Sequence, residues 1–459
     1  MSYENAVARM YALGHELTQS PSRKFDLAHI RILLEALDHP ERRFPGVLIA
    51  GTNGKGSTAA TLASILRASG LRIGLYTSPH LVQINERIRI NGLQISDDDF
   101  ALYHAMVDRT CERLIAEDQL PWHPSFFEML TAIAFEYFAR NKVQMAVLEV
   151  GMGGRLDATN VIDPLLSIIT DISLDHQQFL GDTVTEISRE KAGIIRPGGV
   201  VVTLPQHPQA NDVIGNTILE LDAKAVNAVP YMPPVSPGSD EYVRNCHSEA
   251  SSAREKSAFV PFSSYPLQVM GKQITVETSL VGRHQLRNVA LAIAAAAELA
   301  TQDFPVTPKS IERGIRETNW PGRFQVLRAR DDSPEYVFDV AHNPAGAWAL
   351  RSTLSACYED RRLVLVFGAM RDKAVGEIAE ILFPLAETVI ATRANNPRAT
   401  TVEEIREVSK RVATDIEEST DVASALGRAA VLAGRDGIVV VTGSIYVVGE
   451  ALRFLGVTV

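Results

Sequence analysis

The chain has 459 residues, 46% of them hydrophobic and 22% charged, the make-up of a globular protein with room for two or three domains. A net charge of −10 argues against nucleic acid as the main partner, because binding a phosphate backbone needs a basic surface. Cys111, Cys246 and Cys357 are scattered without metal or redox spacing, which points to a reducing compartment. Residues 1–17 lack the apolar core of a secretory signal and no apolar run reaches membrane-spanning length. A cytoplasmic protein with no membrane partner is expected.

Helices are predicted at 3–17 and 25–37, the second from Ile30, Leu33, Leu34 and Leu37 at helical spacing. The interval 18–24 reads as a loop that could close over a ligand or simply connect them. The apolar run Val47-Leu48-Ile49-Ala50 then leads into Gly51-Thr52-Asn53-Gly54-Lys55-Gly56-Ser57-Thr58 and a helix over 59–68. Strand, glycine turn and helix is the context in which backbone N–H groups and a helix N-terminus hold phosphate, with Lys55 as point charge. The match to a P-loop is imperfect, since Ile49 stands at the first glycine position and Gly56 follows the lysine. The plainer alternative is a glycine turn with an exposed lysine.

A second strand is predicted at 72–78, a charged segment at 85–91, and a helix over 100–116 capped by Ser96-Asp97-Asp98-Asp99. Residues 125–140 form another helix, its Phe126, Met129, Leu130, Ile133 and Phe138 mostly core. An apolar strand at 144–150 carries Glu149 near its end and runs into Gly151-Met152-Gly153-Gly154. A strand at 165–172, a helix at 183–192 and a strand at 200–203 follow. This rhythm predicts an N-terminal doubly wound, mostly parallel sheet whose sites gather at the strands' carboxyl ends. Prolines at 230, 233, 234, 237, 261 and 266 make 230–266 a surface excursion. A linker at 301–305 divides a domain of residues 1–302 from one of residues 303–459. The latter is predicted as a smaller Rossmann-like α/β domain, with strands at 336–340, 363–367, 388–392 and 437–442.

Ser78, Glu149 and His176 each stand at or just past a strand end beside the phosphate loop, where they could converge on a magnesium ion held by a nucleotide. Singly, each has another reading: a turn serine, an acid paired with Arg155, a helix cap. Lys191, near a helix C-terminus, reads from composition as a solvated lysine complementing the dipole. Asp339-Val340-Ala341-His342-Asn343-Pro344 ends a strand and opens a helix, as a site or as a capping cluster. Trp320-Pro321-Gly322-Arg323 offers an arginine for a triphosphate.

Taken together, these segments resemble the folylpolyglutamate synthase and dihydrofolate synthase family, relatives of the muramyl-peptide amide ligases. The resemblance spans nearly the whole chain. Its motifs are GTNGKGST (51–58), TSPHL (77–81), LEVGMGGRLDATN (148–160), LDH (174–176), REKAGI (189–194), GRHQLRN (282–288), WPGR (320–323), AHNP (341–344) and TGSIYVVGE (442–450). It implies ATP as substrate, bound by residues 52–58 with Asn288, Arg323 and Asp339. It implies magnesium on Ser78, Glu149, His176 and Lys191, the lysine as a carbamate, and leaves room for a potassium ion. Lys55, Lys191, His176 and Glu149 would carry the chemistry, and His342 and Ser444 would place the incoming glutamate. Two positions depart from the pattern: Val340 stands where the family usually has glycine, and Ala374 where it has an acid.

The implied reaction is ATP-dependent addition of L-glutamate to dihydropteroate, and to the glutamate tail of reduced folates, through an acyl phosphate. The loop Arg155-Leu156-Asp157-Ala158-Thr159-Asn160 resembles the bifunctional bacterial version. Asp157 is predicted to accept from the pterin's N–H groups, with Ser125 and Phe126 lining the same pocket. Tail extension alone is one alternative. A muramyl-peptide-type ligase is another, although such enzymes carry an extra N-terminal region and the first strand here already begins at Val47. Small-molecule substrates and a monomer are expected.

Overall fold

The computed structural model describes residues 1–14, 26–233, 262–328, 333–359, 361–412 and 416–459. The predicted loop at 18–24 and the stretch 234–261 of the proline-rich excursion lie outside them. The chain divides into two compact units. One comprises Met1–Met232, Gln268–Lys272 and Asn288–Ile315; the other comprises Pro233–Leu267, Gln273–Arg287 and Arg316–Val459.

The first unit is built on eight strands: β1 (Gly46–Ala50), β2 (Ile73–Tyr76), β3 (Ile88–Ile90), β4 (Leu93–Gln94), β5 (Met145–Glu149), β6 (Leu166–Ile169), β7 (Val200–Thr203) and β8 (Lys224–Asn227). Their order is β4-β3-β2-β5-β1-β6-β7-β8. All pairings are parallel except those of β3 and β4. The predicted mostly parallel sheet is therefore present. β1 sits near its middle with every residue buried, which is why the strand reads as an unbroken apolar run rather than an alternating one. β3 lies inside the charged segment 85–91 and pairs with β4 just beyond it as a hairpin. Its Asn91-Gly92 turn puts both residues at positive φ, the geometry a tight hairpin demands.

The helices of this unit are α1 (Tyr3–Ala12), α2 (Ala28–Ala36), α3 (Lys55–Ala68), α4 (Asp97–Ala116), α5 (Phe126–Arg140), α6 (Gln177–Leu180), α7 (Val184–Ala192) and α8 (Pro208–Glu220). α3 packs on β1, β2 and β5. α5 brings Phe135 and Phe138 into the same core as Phe44, Leu48 and Ala146. Full burial of each such ring is worth about 1.5–3 kcal/mol, so the core anchors the strands whose ends carry the polar loops. Among the described residues, no helix is long and apolar enough to cross a membrane.

A hairpin of β9 (Ser263–Val269) and β10 (Lys272–Thr278) precedes α9 (Arg283–Ala300) and α10 (Pro308–Arg316). The last crossing between the two units falls at 315–316, after α10, whereas the sequence pattern predicts a domain boundary at 302–303. The reason lies in α10. A Cβ on Gly314 would stand 2.3 Å from Ile65 Cα, so that helix lies directly against α3. Ser69 Oγ also donates to Ser310 Oγ at 2.8 Å.

The second unit holds a six-stranded sheet of β11 (Gln325–Leu327), β12 (Glu335–Phe338), β13 (Leu363–Phe367), β14 (Thr388–Ala391), β15 (Ile416–Glu418) and β16 (Ile438–Thr442). The order is β11-β12-β16-β13-β14-β15, parallel except for β11. This is the smaller α/β sheet that the alternating pattern predicts.

Candidate active site

The turn after β1 needs glycine at two points. Gly51 has φ +152°, and a Cβ there would stand 1.8 Å from Thr170 Oγ1. Gly54, the N-cap of α3, has φ +89°, and its Cβ would meet Asn288 Oδ1 at 2.1 Å. The second contact brings Asn288, 234 positions later in the chain, against the phosphate turn. The turn is tied to the end of β6: Thr52 and Asn53 donate their backbone N–H groups to Asp171 O at 2.8 and 3.1 Å. Thr52 Oγ1 donates to Ser173 O at 3.0 Å, and Asn53 Nδ2 to Ser173 Oγ at 3.2 Å.

Inside the first turn of α3, Ser57 Oγ and Thr58 Oγ1 are buried and make no hydrogen bond among the described residues. A buried hydroxyl without a partner costs about 1–3 kcal/mol, so both atoms suit a site completed by a ligand. Lys55 folds back, its Nζ donating to Gly51 O at 3.1 Å and Thr52 O at 3.2 Å.

The register places the other loops beside this turn. β5 and β6 flank β1, with Ile49 opposite Glu149, and β2 lies next to β5. Ser78 and Glu149 meet: the Ser78 N–H donates to Glu149 Oε2 at 3.2 Å, and that carboxylate is 5% exposed. The pairing of Glu149 with Arg155 suggested as an alternative is not formed, because Arg155 bonds Glu190 at 2.9 Å. His176 opens α6 in a left-handed conformation, φ 53°, without a side-chain capping bond. Its N–H donates to Asp175 Oδ1 at 2.9 Å, and its Nε2 lies 4.0 Å from Asp175 Oδ2. Among the described residues, no three His, Cys, Asp or Glu side chains gather closely enough to hold a metal. The expected donors include only two residues of those types, Glu149 and His176, with a hydroxyl and a modified lysine beside them.

Lys191 overturns the solvated reading drawn from composition. It is 4% exposed and its Nζ donates to Gly51 O at 2.8 Å. Burial, then the Lys55 charge, push its ammonium down to about 7, against the opposing pull of Asp175 and Asp157. Helical spacing near a C-terminus carries no sign that another loop will cover the residue. Asp175, inside the same LDH segment, is a further member of this cluster that the sequence reasoning passed over.

Asp157 is buried, and its acceptors are already engaged. Oδ2 accepts from Gly151 N and Met152 N at 3.0 and 3.1 Å, and Oδ1 from Thr159 N and Thr159 Oγ1 at 3.0 and 2.6 Å. Burial nevertheless outweighs these bonds and pushes the carboxyl up to about 6. A pterin reaching Asp157 would exchange with one of these loop bonds rather than find a free acceptor. Leu156 is half-buried and Ala158 buried in the same loop.

Ser125 is the N-cap of α5, and its hydroxyl is taken up by Glu128 at 2.6 Å. Phe126 is 3% exposed and belongs to the core, whereas the half-buried Phe127 turns its ring onto Gly151, 2.6 Å from where a Cβ would stand. The ring that meets Gly151 is thus Phe127, one position after the Phe126 named from sequence. At the start of a helix, one residue is a 100° rotation, and sequence alone does not fix the helix's orientation.

In the second unit, Asp339 accepts from Phe324 N and Ala341 N at 2.9 Å each. Burial raises its carboxyl, opposed by the nearby Arg323. His342 Nδ1 lies 2.9 Å from Val340 O, and a carbonyl accepts only, so that nitrogen carries the proton. Ser444 caps the last helix (Ile445–Phe454) and accepts from Tyr446 N at 3.2 Å. Gly443 N donates to Ala341 O at 3.1 Å, so the turns carrying His342 and Ser444 adjoin at the ends of β12 and β16. Val340 is accommodated: it is buried and its N–H reaches Gly322 O at 3.0 Å.

Residues 126–296 match the Mur ligase middle domain, and residues 322–445 the Mur ligase glutamate ligase domain. A dihydrofolate synthase/folylpolyglutamate synthase of Bacillus subtilis is 33% identical over 433 residues, covering 94% of each chain. A Mycobacterium tuberculosis folylpolyglutamate synthase complexed with ADP superposes with TM-score 0.82 at 30% identity over 99% of both chains. Escherichia coli FolC in complex with DHPP and ADP gives TM-score 0.79 at 28% identity, covering 99% of this chain and 98% of that one.

Proposed function

This chain belongs to the dihydrofolate synthase/folylpolyglutamate synthase family of ATP-dependent ligases, and on that footing we propose that it adds L-glutamate both to 7,8-dihydropteroate and to the glutamate tail of reduced folates. The observation that carries this reading is the β1 turn, with Asn288 against Gly54 and two buried hydroxyls, Ser57 and Thr58, awaiting partners. ATP would sit there, its phosphates on the N–H groups of residues 52–58 and on Lys55.

The acceptor's carboxylate oxygen attacks the γ-phosphorus and ADP leaves, giving an acyl phosphate. The glutamate amine then attacks the acyl carbon, phosphate departs, and the nitrogen loses a proton. Lys55 offsets charge on the transferring phosphoryl group. Ser78, Glu149, His176 and a carbamylated Lys191 would hold magnesium, which supplies further charge neutralisation there. Arg323 and Asp339 would contact the nucleotide, and His342 and Ser444 would place glutamate. The acceptor's ring would lie along residues 151–160 with Phe127 beside it. Soluble small molecules are the only substrates this scheme needs, and a monomeric cytoplasmic protein suffices for it.

Incubating the protein with ATP, magnesium and glutamate, together with dihydropteroate or tetrahydrofolate, and separating products by mass tests the reading. Each acceptor should gain one glutamate with release of ADP and phosphate. Tetrahydrofolate extended while dihydropteroate returns unchanged would reduce the enzyme to a folylpolyglutamate synthase. Neither acceptor modified would refute the reading.

A further inference from the structure

Four side chains from three segments, α1, the loop between β2 and β3, and the start of α5, close a circuit beside the acceptor loop. Tyr11, at the end of α1, stacks on Phe126 with ring centroids 5.8 Å apart and 26° between planes. Arg87 lies over the same Phe126 ring, its guanidinium carbon 5.4 Å from the centroid. His80 joins the two: Arg87 Nε donates to His80 Nδ1 at 2.8 Å, and His80 Nε2 lies 3.2 Å from the Tyr11 hydroxyl. A guanidinium can only donate, so Nδ1 carries no hydrogen in this arrangement. The imidazole then presents Nε2–H to Tyr11, and the direction of both bonds is set.

The circuit is held from behind. Arg87 is 3% exposed, and the neighbouring Glu86, 5% exposed, accepts from the N–H groups of Leu81, Val82 and Gln83 at 2.8, 2.7 and 2.7 Å. Arg87 O also accepts from Thr77 N at 3.0 Å, so the loop between β2 and β3 is pinned at both ends. In front of the circuit stands the first turn of α5. With Phe126 clasped on two sides, the rotation of that turn is fixed, and with it the direction in which Phe127 meets Gly151 and Tyr76.

We propose that the Tyr11–His80–Arg87–Phe126 circuit sets acceptor selectivity, with His80 as its positioning residue. The inference rests on the functional reading above, in which the acceptor's ring lies beside Phe127. Dihydropteroate lacks a glutamate tail and must be held chiefly by its ring and benzoyl portion. A folate already carrying glutamate has further contacts in reserve. Loosening the wall that aims Phe127 therefore weakens the shorter acceptor more.

The test compares His80→Ala, Tyr11→Phe and His80→Asn with the wild type in steady-state assays on dihydropteroate and tetrahydrofolate. Tyr11→Phe keeps the stack and removes only the hydroxyl, and ADP-induced thermal shifts check that each variant folds and binds nucleotide. Loss of this hydrogen bonding should raise KM for dihydropteroate roughly tenfold in His80→Ala, with kcat within about twofold and a rise of about threefold or less for tetrahydrofolate. His80→Asn, which keeps an acceptor for Arg87, should recover part of that affinity. Equal losses on the two acceptors, a fall in kcat without a change in KM, or unchanged kinetics would each overturn the inference while leaving the functional reading in place. A wild type that modifies neither acceptor would overturn both.

Discussion

Lys55 and Lys191 donate to the same atom: the carbonyl oxygen of Gly51 accepts from Lys55 Nζ at 3.1 Å and from Lys191 Nζ at 2.8 Å. Two ammonium groups sharing one buried oxygen repel each other, and Lys191, the more deeply buried, gives up charge most readily. A neutral amine is the form that reacts with carbon dioxide to give a carbamate. The contact therefore accounts for how a lysine in this position could become an anion facing the phosphate turn.

The first prediction follows. Lys191→Ala should lose ligase activity by on the order of a hundredfold or more, since the carbamate that would help hold magnesium beside the transferring phosphoryl group can no longer form. Added acetate should restore a fraction, by supplying a carboxylate in the vacated space. Full activity of the alanine variant would remove Lys191 from the mechanism.

Glu149→Gln is expected to keep the fold, because an amide oxygen can still accept from Ser78 N, and to lose most ATP-dependent ligation, because an amide is a much weaker magnesium ligand. Thermal unfolding and a coupled ADP assay separate the two effects. Turnover close to wild type would disprove the assignment.

Gly54→Ala should suppress nucleotide binding. The left-handed backbone alone costs a non-glycine residue roughly 1–2 kcal/mol, and the new methyl would run into Asn288 Oδ1. The stabilisation that ADP confers in a thermal-shift experiment should drop by more than half. An undiminished shift would mean that the turn relaxes without consequence for the nucleotide.

Asp157 gives a pH dependence. Its carboxyl stands at about 6 in the folded chain against an ordinary 3.8, so between these values the folded state holds a proton that the unfolded state has released. Stability contributed by this group therefore falls as pH rises from 3.8 to 6, and above that the buried charge costs roughly 3 kcal/mol. Asp157→Asn removes the titration and leaves a constant offset from its lost acceptor. The melting temperature of the variant should gain on the wild type by several degrees between pH 4 and pH 7. Parallel curves would show that the carboxyl does not titrate in that range.

Much of the site could be read directly from the chain, because its elements announce themselves locally. The run Val47–Ala50 is apolar throughout since a central parallel strand is covered on both faces, and the glycines after it stand where a side chain would strike Thr170 or Asn288. Short turns after each strand put Ser78, Glu149 and His176 at the strands' carboxyl ends, and the β1–β5–β2 register brings Ser78 and Glu149 into contact.

Other features depend on how elements are rotated and covered, and no local pattern encodes that. Lys191 has the spacing of a surface lysine, and only the packing of α7 under the β1 turn buries it. Phe126 and Phe127 are indistinguishable as neighbours in sequence; the clasp of Tyr11 and Arg87 decides which one enters the core. Asp157 is an acid in a glycine-rich loop until the loop closes round it and engages its oxygens. The stretch 303–315 belongs with the first unit because α10 finds its partner surface on α3, far back in the chain. The sequence by itself determined which elements exist and which strand ends carry polar groups, since these follow from short-range periodicity and turn chemistry. Tertiary structure alone decided which of those groups lose their water, and with it their charge and their reactivity.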